Sequence, residues 1–491
     1  RPEDPGATAI VTETLDRMAA GGIYDHVGGG FHRYSTDAQW LVPHFEKMLY
    51  DNAQLAALYV EAWQHSGDVK YRVVAEDILD YVAREMTAES GGFHSATDAD
   101  SRTPQGHDEE GWFFTWTRAE LDAVLGPDDA ALVARAYGVT DAGNFEGRNV
   151  LHRTRSDAQL AEERRLSVSM VRERLSRARR SLYEARKGRP APLRDDKVIA
   201  AWNGLMISAF ARGGWALGEA GYVETAARAA RFVLETMRDE EGRLVRTSRD
   251  GAKSTASFLD DHAFMVAACI DLYEATGEVE WLGAALELQG QQDARFSDAD
   301  GGYFLTPKDG EALLVREKPT YDGAVPSGNS VAAENLLRLH GFTSEERFRD
   351  AAERLFAAAA ARIDRAPTGS PRLLAALDRY YDRALEVAIV SKDSGGDGVA
   401  LEAELRRAFV PNKVVAVLDE AGAKAQEAQV PWLEAKRAID GAPTAYVCER
   451  GRCDRPTSRP VVFARQLAEI TPYPSFATTS PAMFPYEGAN P

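Results

Sequence analysis

The chain has 491 residues, 44% of them hydrophobic and 27% charged, with a net charge of −18. This is a globular composition, with room for two to four folding units at roughly 150 residues each. The acidity argues against nucleic acid and anionic membrane surfaces as general partners, and no run of about 18 apolar residues offers a transmembrane helix. Three cysteines cannot form a disulfide framework in a chain this long, and RPEDPGATAI has no basic-then-apolar leader, so a reducing, cytoplasmic setting is expected.

Apolar residues at Phe45, Leu49, Leu55, Leu58 and Trp63 predict a helix over 43–65. The same spacing predicts helices over 70–86, 197–218, 222–238, 258–276, 279–293, 328–340 and 345–363. Residues 154–194 interleave arginine with glutamate and read as a solvated surface helix. Glycine turns recur after the helices, at GGGF (28–31), GGF (91–93), EGRL (241–244) and GGYF (301–304). The interval is 62 residues from Gly30 to Gly92 and 60 from Gly242 to Gly302, about one αα-hairpin. Six such hairpins fill residues 1–382, which predicts a mostly α protein built as an (α/α)6 toroid, with an open solenoid as the alternative. From 383 the texture changes. The apolar runs LEVAIV, KVVAVLD and TAYVC, separated by helical segments, predict a small parallel α/β appendage over 383–470. Residues 471–491 are proline-rich and read as an extended or disordered tail.

In such a toroid, polar residues at the starts of alternate helices converge on one mouth. Five clusters occupy such positions. The first holds His32, Arg33, His44 and Asp51, with His44, Lys47 and Asp51 on one helical stripe. The second holds His94, Asp98 and Asp100, followed by Asp108, Glu109 and Glu110. The third holds Asp195, Asp196, Trp202 and Asn203, where the aspartates also suit a helix N-terminus. The fourth is Asp260, Asp261 and His262, and the fifth is Tyr321, Asp322, Ser327 and Asn329. Together they predict one polar central pocket. His44 and Asp51 are the expected acid–base pair, opposed by Asp261. His32, Arg33, Asp98, Asp100, Asp196, Trp202, Asn203, Asp260, Tyr321, Asp322, Ser327 and Asn329 are the expected substrate contacts. No GxSxG, Walker or HExxH motif occurs, and Cys448 and Cys453 have no second pair that would complete a zinc site. No metal and no cofactor is expected.

GGIYDHVGGGFHRYSTDAQWLVPHFEKMLYDNAQL, DDKVIAAWNGLMISA, LDDHAFMVAACIDLYEATGEVEWL and YDGAVPSGNSVAAENLLRL, with CERGRCDRPT near the end, resemble one family. It is the long thioredoxin-domain-containing family of the spermatogenesis-associated protein 20 type. The resemblance implies an N-terminal thioredoxin-like (DUF255) domain, whose residues are missing from this sequence, as a partner region in the full-length members. It also implies a second part similar to six-hairpin glycosidases and N-acylglucosamine 2-epimerases. On these grounds the expected ligand is a small carbohydrate or glycan. Two activities stay open, a sugar epimerase or isomerase and a glycoside hydrolase, beside a non-catalytic glycan- or protein-binding scaffold. Hydrolysis needs two carboxylates about 5–9.5 Å apart. Epimerisation needs an acid and a base on the two faces of the sugar.

Overall fold

The structure is a computed structural model that describes residues 4–254, 256–393 and 398–471. From residue 472 onward the expected tail lies outside the described residues. The chain divides into two compact units, residues 1–199 and 200–491. The anticipated boundary at 382/383 falls inside the second of them. Among the described residues no helix is long and apolar enough to cross a membrane.

The second unit is built from three helical hairpins. They pair Ala200–Leu217 with Ala220–Arg231, Leu259–Thr276 with Val279–Phe296, and Gly328–Thr343 with Glu346–Arg365. Helix Pro371–Tyr381 follows. The first unit contains one hairpin of the same kind, Leu49–Ser66 with Val69–Glu85. Its other helices are Pro5–Ala20, Arg118–Leu125, Pro127–Tyr137, Asp157–Arg164 and Val168–Arg186. The chain is therefore mostly helical, and both units contain hairpins of the kind that a toroid repeats.

The hairpins turn the same way for a local reason. Each first helix ends in a left-handed residue that lets the chain reverse within two or three residues. Gly67, Gly218 and Gly277 hold φ of 70°, 76° and 71° there, and Ser344 holds 57° without the benefit of a missing side chain. The opposite end of the repeat carries the glycine turns of the sequence. Each closes with an isolated antiparallel bridge: Tyr24 to Phe31, Thr87 to Phe93, Arg238 to Leu244, and Ser297 to Tyr303. The 60-residue period is thus a helical hairpin plus a small bridged turn.

An asparagine on the following helix clamps the bridge in two repeats. Asn52 accepts from the Phe31 amide at 2.8 Å and donates to the Phe31 carbonyl at 3.0 Å. Asn329 accepts from the Tyr303 amide at 2.8 Å and donates to the Tyr303 carbonyl at 2.9 Å and the Pro319 carbonyl at 2.8 Å. Both asparagines are buried, so each satisfies backbone groups that water cannot reach.

Three expectations need correction. The helix predicted from 43 begins at Leu49, because residues 43–44 and 47–48 are extended and pair with other short strands. The helix predicted from 197 likewise begins at Ala200, so Asp195 and Asp196 lie upstream of it and do not cap it. The segment 154–194 is not a solvated helix. Val171, Leu175, Ala178 and Leu182 form a buried stripe at spacings of three and four on Val168–Arg186.

The appendage belongs to the second unit and is a mixed sheet, not a parallel one. Strand Leu385–Ser391 pairs in parallel with Lys413–Asp419 but antiparallel with Thr444–Glu449, which continues antiparallel to Arg452–Cys453. The short turn between the last two strands leaves no crossover, so antiparallel pairing is the only geometry it permits. The sheet unit is tied to the second hairpin through Gln426, which accepts from the Tyr273 hydroxyl at 2.8 Å and donates to the Gly277 carbonyl at 2.9 Å.

Asn329→Ala strands the Tyr303 amide and two carbonyls in a buried setting. The expected cost is about 2–4 kcal/mol, with the Tyr303 amide losing hydrogen-exchange protection. Asn329→Asp keeps the acceptor but turns a second oxygen on the Tyr303 and Pro319 carbonyls in a buried site, so at neutral pH it should cost at least as much as alanine. Unchanged protection in the alanine variant would contradict the clamp.

Candidate functional site

The first unit is organised around a buried carboxylate in the glycine-rich loop 21–30. Asp25 accepts from the Val27 and Gly28 amides at 3.0 Å, which folds the loop around it. Arg186 grips both of its oxygens at 2.9 Å, and the Lys47 ammonium donates to Oδ2 at 2.8 Å and to the Gly29 carbonyl at 2.8 Å. All three side chains are buried. Burial by itself raises the Asp25 carboxyl, but Arg186 and Lys47 override it and hold the group well below the usual carboxylate range. Gly28 is required by proximity, since a Cβ there would lie 2.0 Å from an Arg186 nitrogen. The cations also rest on aromatic faces, Lys47 4.2 Å from the Tyr81 ring centre and Arg186 5.1 Å from that of Phe113.

Lys47 fixes what the neighbouring segment can present. Successive side chains of an extended chain alternate sides. Phe45 and Lys47 are each 1% exposed, so His44 and Glu46 face the other way and are half-buried. His44 sits between two carboxylates, with Nδ1 2.7 Å from Glu110 and Nε2 3.1 Å from Glu46. Glu46 also accepts from Arg33 at 2.8 Å. Asp51 follows in the first turn of helix Leu49–Ser66. Its Oδ2 is buried without a hydrogen-bond partner. Burial pushes its carboxyl up to about 7; the Arg33 charge pulls against this and the Glu46 charge adds to it. Asp100 lies directly across a strand pair from Glu110. It is raised by burial and by the charges of Asp98, Glu110 and Asp108, while His44 opposes. One imidazole, one guanidinium and several carboxylates, one of them poised near neutrality, therefore share a single part of the first unit. Such a set can donate and accept protons near pH 7. His44 and Asp51 are connected through Glu46 and Arg33. They do not share a helical stripe, and Lys47 points inward to Asp25.

The remaining predicted residues fall in different places. His32 is 2% exposed and gives Nδ1 to the Phe45 carbonyl at 2.9 Å. Burial and the Lys47 charge lower it to about 3, so it is a neutral packing group. Asp98 is exposed and accepts from the amides of Ala99 and Asp100. Asp196 pairs with Arg194 at 2.6 Å and lies 3.5 Å from His94, whose imidazole burial lowers.

In the second unit Asp261 has no accessible surface. Its carboxylate accepts from the Phe258 amide at 2.9 Å and from the Ala201 amide at 3.1 Å, bracing the starts of two helices. Burial raises it to about 6, with Arg246 opposing. Asp261 was expected to oppose His44 and Asp51 across a ligand, but an enclosed carboxylate cannot touch one. Asp260 is also raised by burial, and its Oδ1 faces the Gly328 backbone without a well-formed hydrogen bond. Asp322 accepts from the amides of Ser327 and Arg372 at 2.9 and 2.8 Å, and Ser327 caps helix Gly328–Thr343. Asn329 is the backbone clamp described above. These three serve structure where substrate contact was expected. Trp202 is half-buried, Asn203 is fully enclosed, and Tyr321 is 61% exposed. Sequence reasoning passed over Asp25, Glu46 and Arg186. The alternation in Pro43-His44-Phe45-Glu46-Lys47 was the available signal for the second of these.

Fold and site together define a protein of helical hairpins with a small mixed sheet and a cluster of titratable side chains in its first unit. In sequence the chain is homologous to spermatogenesis-associated protein 20. It is 41% identical to the human protein over 92% of this chain, and 40% identical to the mouse protein over the same share. An uncharacterised Caenorhabditis elegans protein is 32% identical over 91% of the chain. The chain spans 62% of the human relative's length. No family model matches it. Among solved structures it is similar to a D-mannose isomerase, with a TM-score of 0.35 at 12% identity over 72% of this chain and 86% of that one. It is also similar to the cellobiose 2-epimerase of Spirochaeta thermophila, with a TM-score of 0.36 at 11% identity over 73% and 87%. A third is the unsaturated glucuronyl hydrolase of a Bacillus species, with a TM-score of 0.39 at 15% identity over 69% of each.

Asp25→Ala leaves two buried cations without a counter-charge and should destabilise the first unit by about 3–5 kcal/mol. Lys47→Met keeps the paired Asp25–Arg186 bridge and should cost clearly less. Thermal melts of the two variants giving equal losses would contradict this hierarchy.

Proposed function

We propose that the chain is a carbohydrate-active protein whose acid–base chemistry is done by His44 and Asp51 in the first unit. The observation that carries this reading is Asp51, with its buried, unpartnered oxygen and a carboxyl at about 7. Near pH 7 such a group is present both as acid and as base, which suits proton abstraction and return at the carbon beside a sugar carbonyl. Glu46 and Glu110 hold the His44 ring by its two nitrogens. Exposed Arg33, beside Glu46, supplies positive charge for the oxygen that becomes negative as the proton leaves. Between the two activities open from sequence, epimerisation or isomerisation fits this set better than hydrolysis, because the imidazole and the neutral-range carboxyl form one linked group. The ligand is a small sugar or glycan, met in the cytoplasm.

The test is incubation with a panel of aldoses and ketoses in heavy water. Deuterium entering at the carbon beside the carbonyl is the expected result. Asp51→Asn and His44→Asn should each slow it by about 10²–10⁴-fold while the thermal midpoint stays near that of the parent. Release of the aglycone from aryl glycosides with no deuterium uptake would instead favour hydrolysis. A second reading, binding without turnover, draws on the second unit, where Asp261, Asp322, Ser327 and Asn329 are engaged in bracing the fold. Saturable sugar binding with neither deuteration nor hydrolysis would decide for it.

A further inference from the structure

The sheet of the second unit carries a feature that the carbohydrate reading does not use. Cys448 and Cys453 sit directly opposite each other on the antiparallel strands Thr444–Glu449 and Arg452–Cys453, joined as a disulfide. Sequence reading had expected reduced cysteines. The two sulfurs occupy unlike surroundings. Cys448 is 1% exposed, whereas Cys453 is on the open strand. The Lys436 ammonium lies 3.9 Å from the Cys453 sulfur. Both cysteines line a groove of about 780 Å³, a volume in the range of small-ligand sites. Its charged lining is balanced: Arg383, Arg450 and Arg452 face the groove together with Glu449, Asp454 and Glu469. Cys269, the third cysteine, is buried and free.

We propose that this groove is a thiol–disulfide exchange site for a small zwitterionic thiol of tripeptide size. Exchange begins when the thiolate of the incoming molecule attacks the exposed Cys453 sulfur. The Cys448–Cys453 bond breaks, a mixed disulfide forms on Cys453, and the electron pair leaves on Cys448, which takes up a proton. A buried thiol behaves as a small apolar group, so the protonated product suits the Cys448 position. A second thiolate then attacks the bound molecule's sulfur. This releases the symmetric small-molecule disulfide and leaves Cys453 as a thiolate beside Lys436, which favours the charged form. The net change is two thiols oxidised to one disulfide while the protein disulfide is reduced to two thiols. The groove's paired charges match the amine and carboxylates of the incoming molecule, and Arg452 and Asp454 flank the attacked sulfur in sequence.

The test uses the full chain with glutathione as probe, read by mass spectrometry after acid quenching. Three results are expected. Reduced glutathione opens the native disulfide. In Cys448→Ser, oxidised glutathione leaves one adduct, on Cys453. In Cys453→Ser, Cys448 takes none until the protein is denatured. Adding Lys436→Met to Cys448→Ser should slow alkylation of Cys453 at pH 7 by about fivefold or more, the lower bound being that of one fully solvated charge near 4 Å, since Lys436 is half-buried. Equal adducts on the two cysteines, opening only by a dithiol, or an alkylation rate indifferent to Lys436→Met would each overturn the proposal. None of these results depends on sugar turnover, so the groove and the His44–Asp51 site fail or stand separately.

Discussion

The ion cluster at Asp25 is the constraint on which the proposed chemistry of the first unit depends. A carboxylate enclosed with a guanidinium and an ammonium is costly unless every charge is matched and every lone pair used. Here two backbone amides, a bidentate arginine and a lysine use the carboxylate's lone pairs, and the one cation in excess is offset by the aromatic faces of Tyr81 and Phe113. Because Lys47 must reach Asp25, the strand around it can turn only its alternate residues outward. His44 and Glu46 gain their exposure from that requirement. Replacing the cluster with apolar side chains could leave stability unharmed, yet it would remove the tether that sets this register. The cluster is thus better understood as specifying an arrangement than as strengthening the unit.

The same economy of polar groups runs through the hairpins. The recurrent bridged turn carries amides and carbonyls into the interior, and an asparagine carries a donor and an acceptor on separate atoms, which fits the amide and carbonyl of a single residue. Asn52 and Asn329 do this at equivalent points of two repeats. Asp261 acts in the same spirit, joining the starts of two neighbouring helices. Gly204 lets those helices approach, since a Cβ there would lie 2.7 Å from the Phe264 backbone. Polar residues at helix starts and in the extended segments leading into them therefore have two possible duties. Accessibility decides between them: Asp261 at 0% exposed braces the fold, while half-buried His44 and Asp51 keep contact with solvent.

Much of the fold was legible in the sequence because long amphipathic helices are strong periodic signals. The helix predicted over 258–276 forms at Leu259–Thr276, and that over 70–86 at Val69–Glu85. The glycine period located the bridged turns. The helix starts near 43 and 197 were misplaced, since a few extended residues leading into a helix carry the same apolar residues as the helix itself. The mixed sheet was hidden for a similar reason: apolar runs reveal strands but not their direction. The proposed site was half legible. His44 and Asp51 stood out as chemistry-bearing types in a polar cluster. The sequence could not separate them from Asn329, Ser327 or Asp261, because exposure and hydrogen-bond satisfaction depend on tertiary contacts. Arg186 lies 161 residues from its partner Asp25, beyond the reach of any local pattern.

The most direct test of this account is the titration of the Asp51 carboxyl by carbon-detected NMR in the intact protein. Burial without a hydrogen-bond partner for Oδ2, against the pull of Arg33, predicts a midpoint near 7. A folded-state value above the unfolded one means that ionising Asp51 opposes folding. Its penalty should therefore grow as pH rises from about 4 to 7, and Asp51→Asn should remove that slope. A midpoint near 4, with no change in slope, would show an ordinary solvated aspartate and contradict the assignment of Asp51 as the acid–base group.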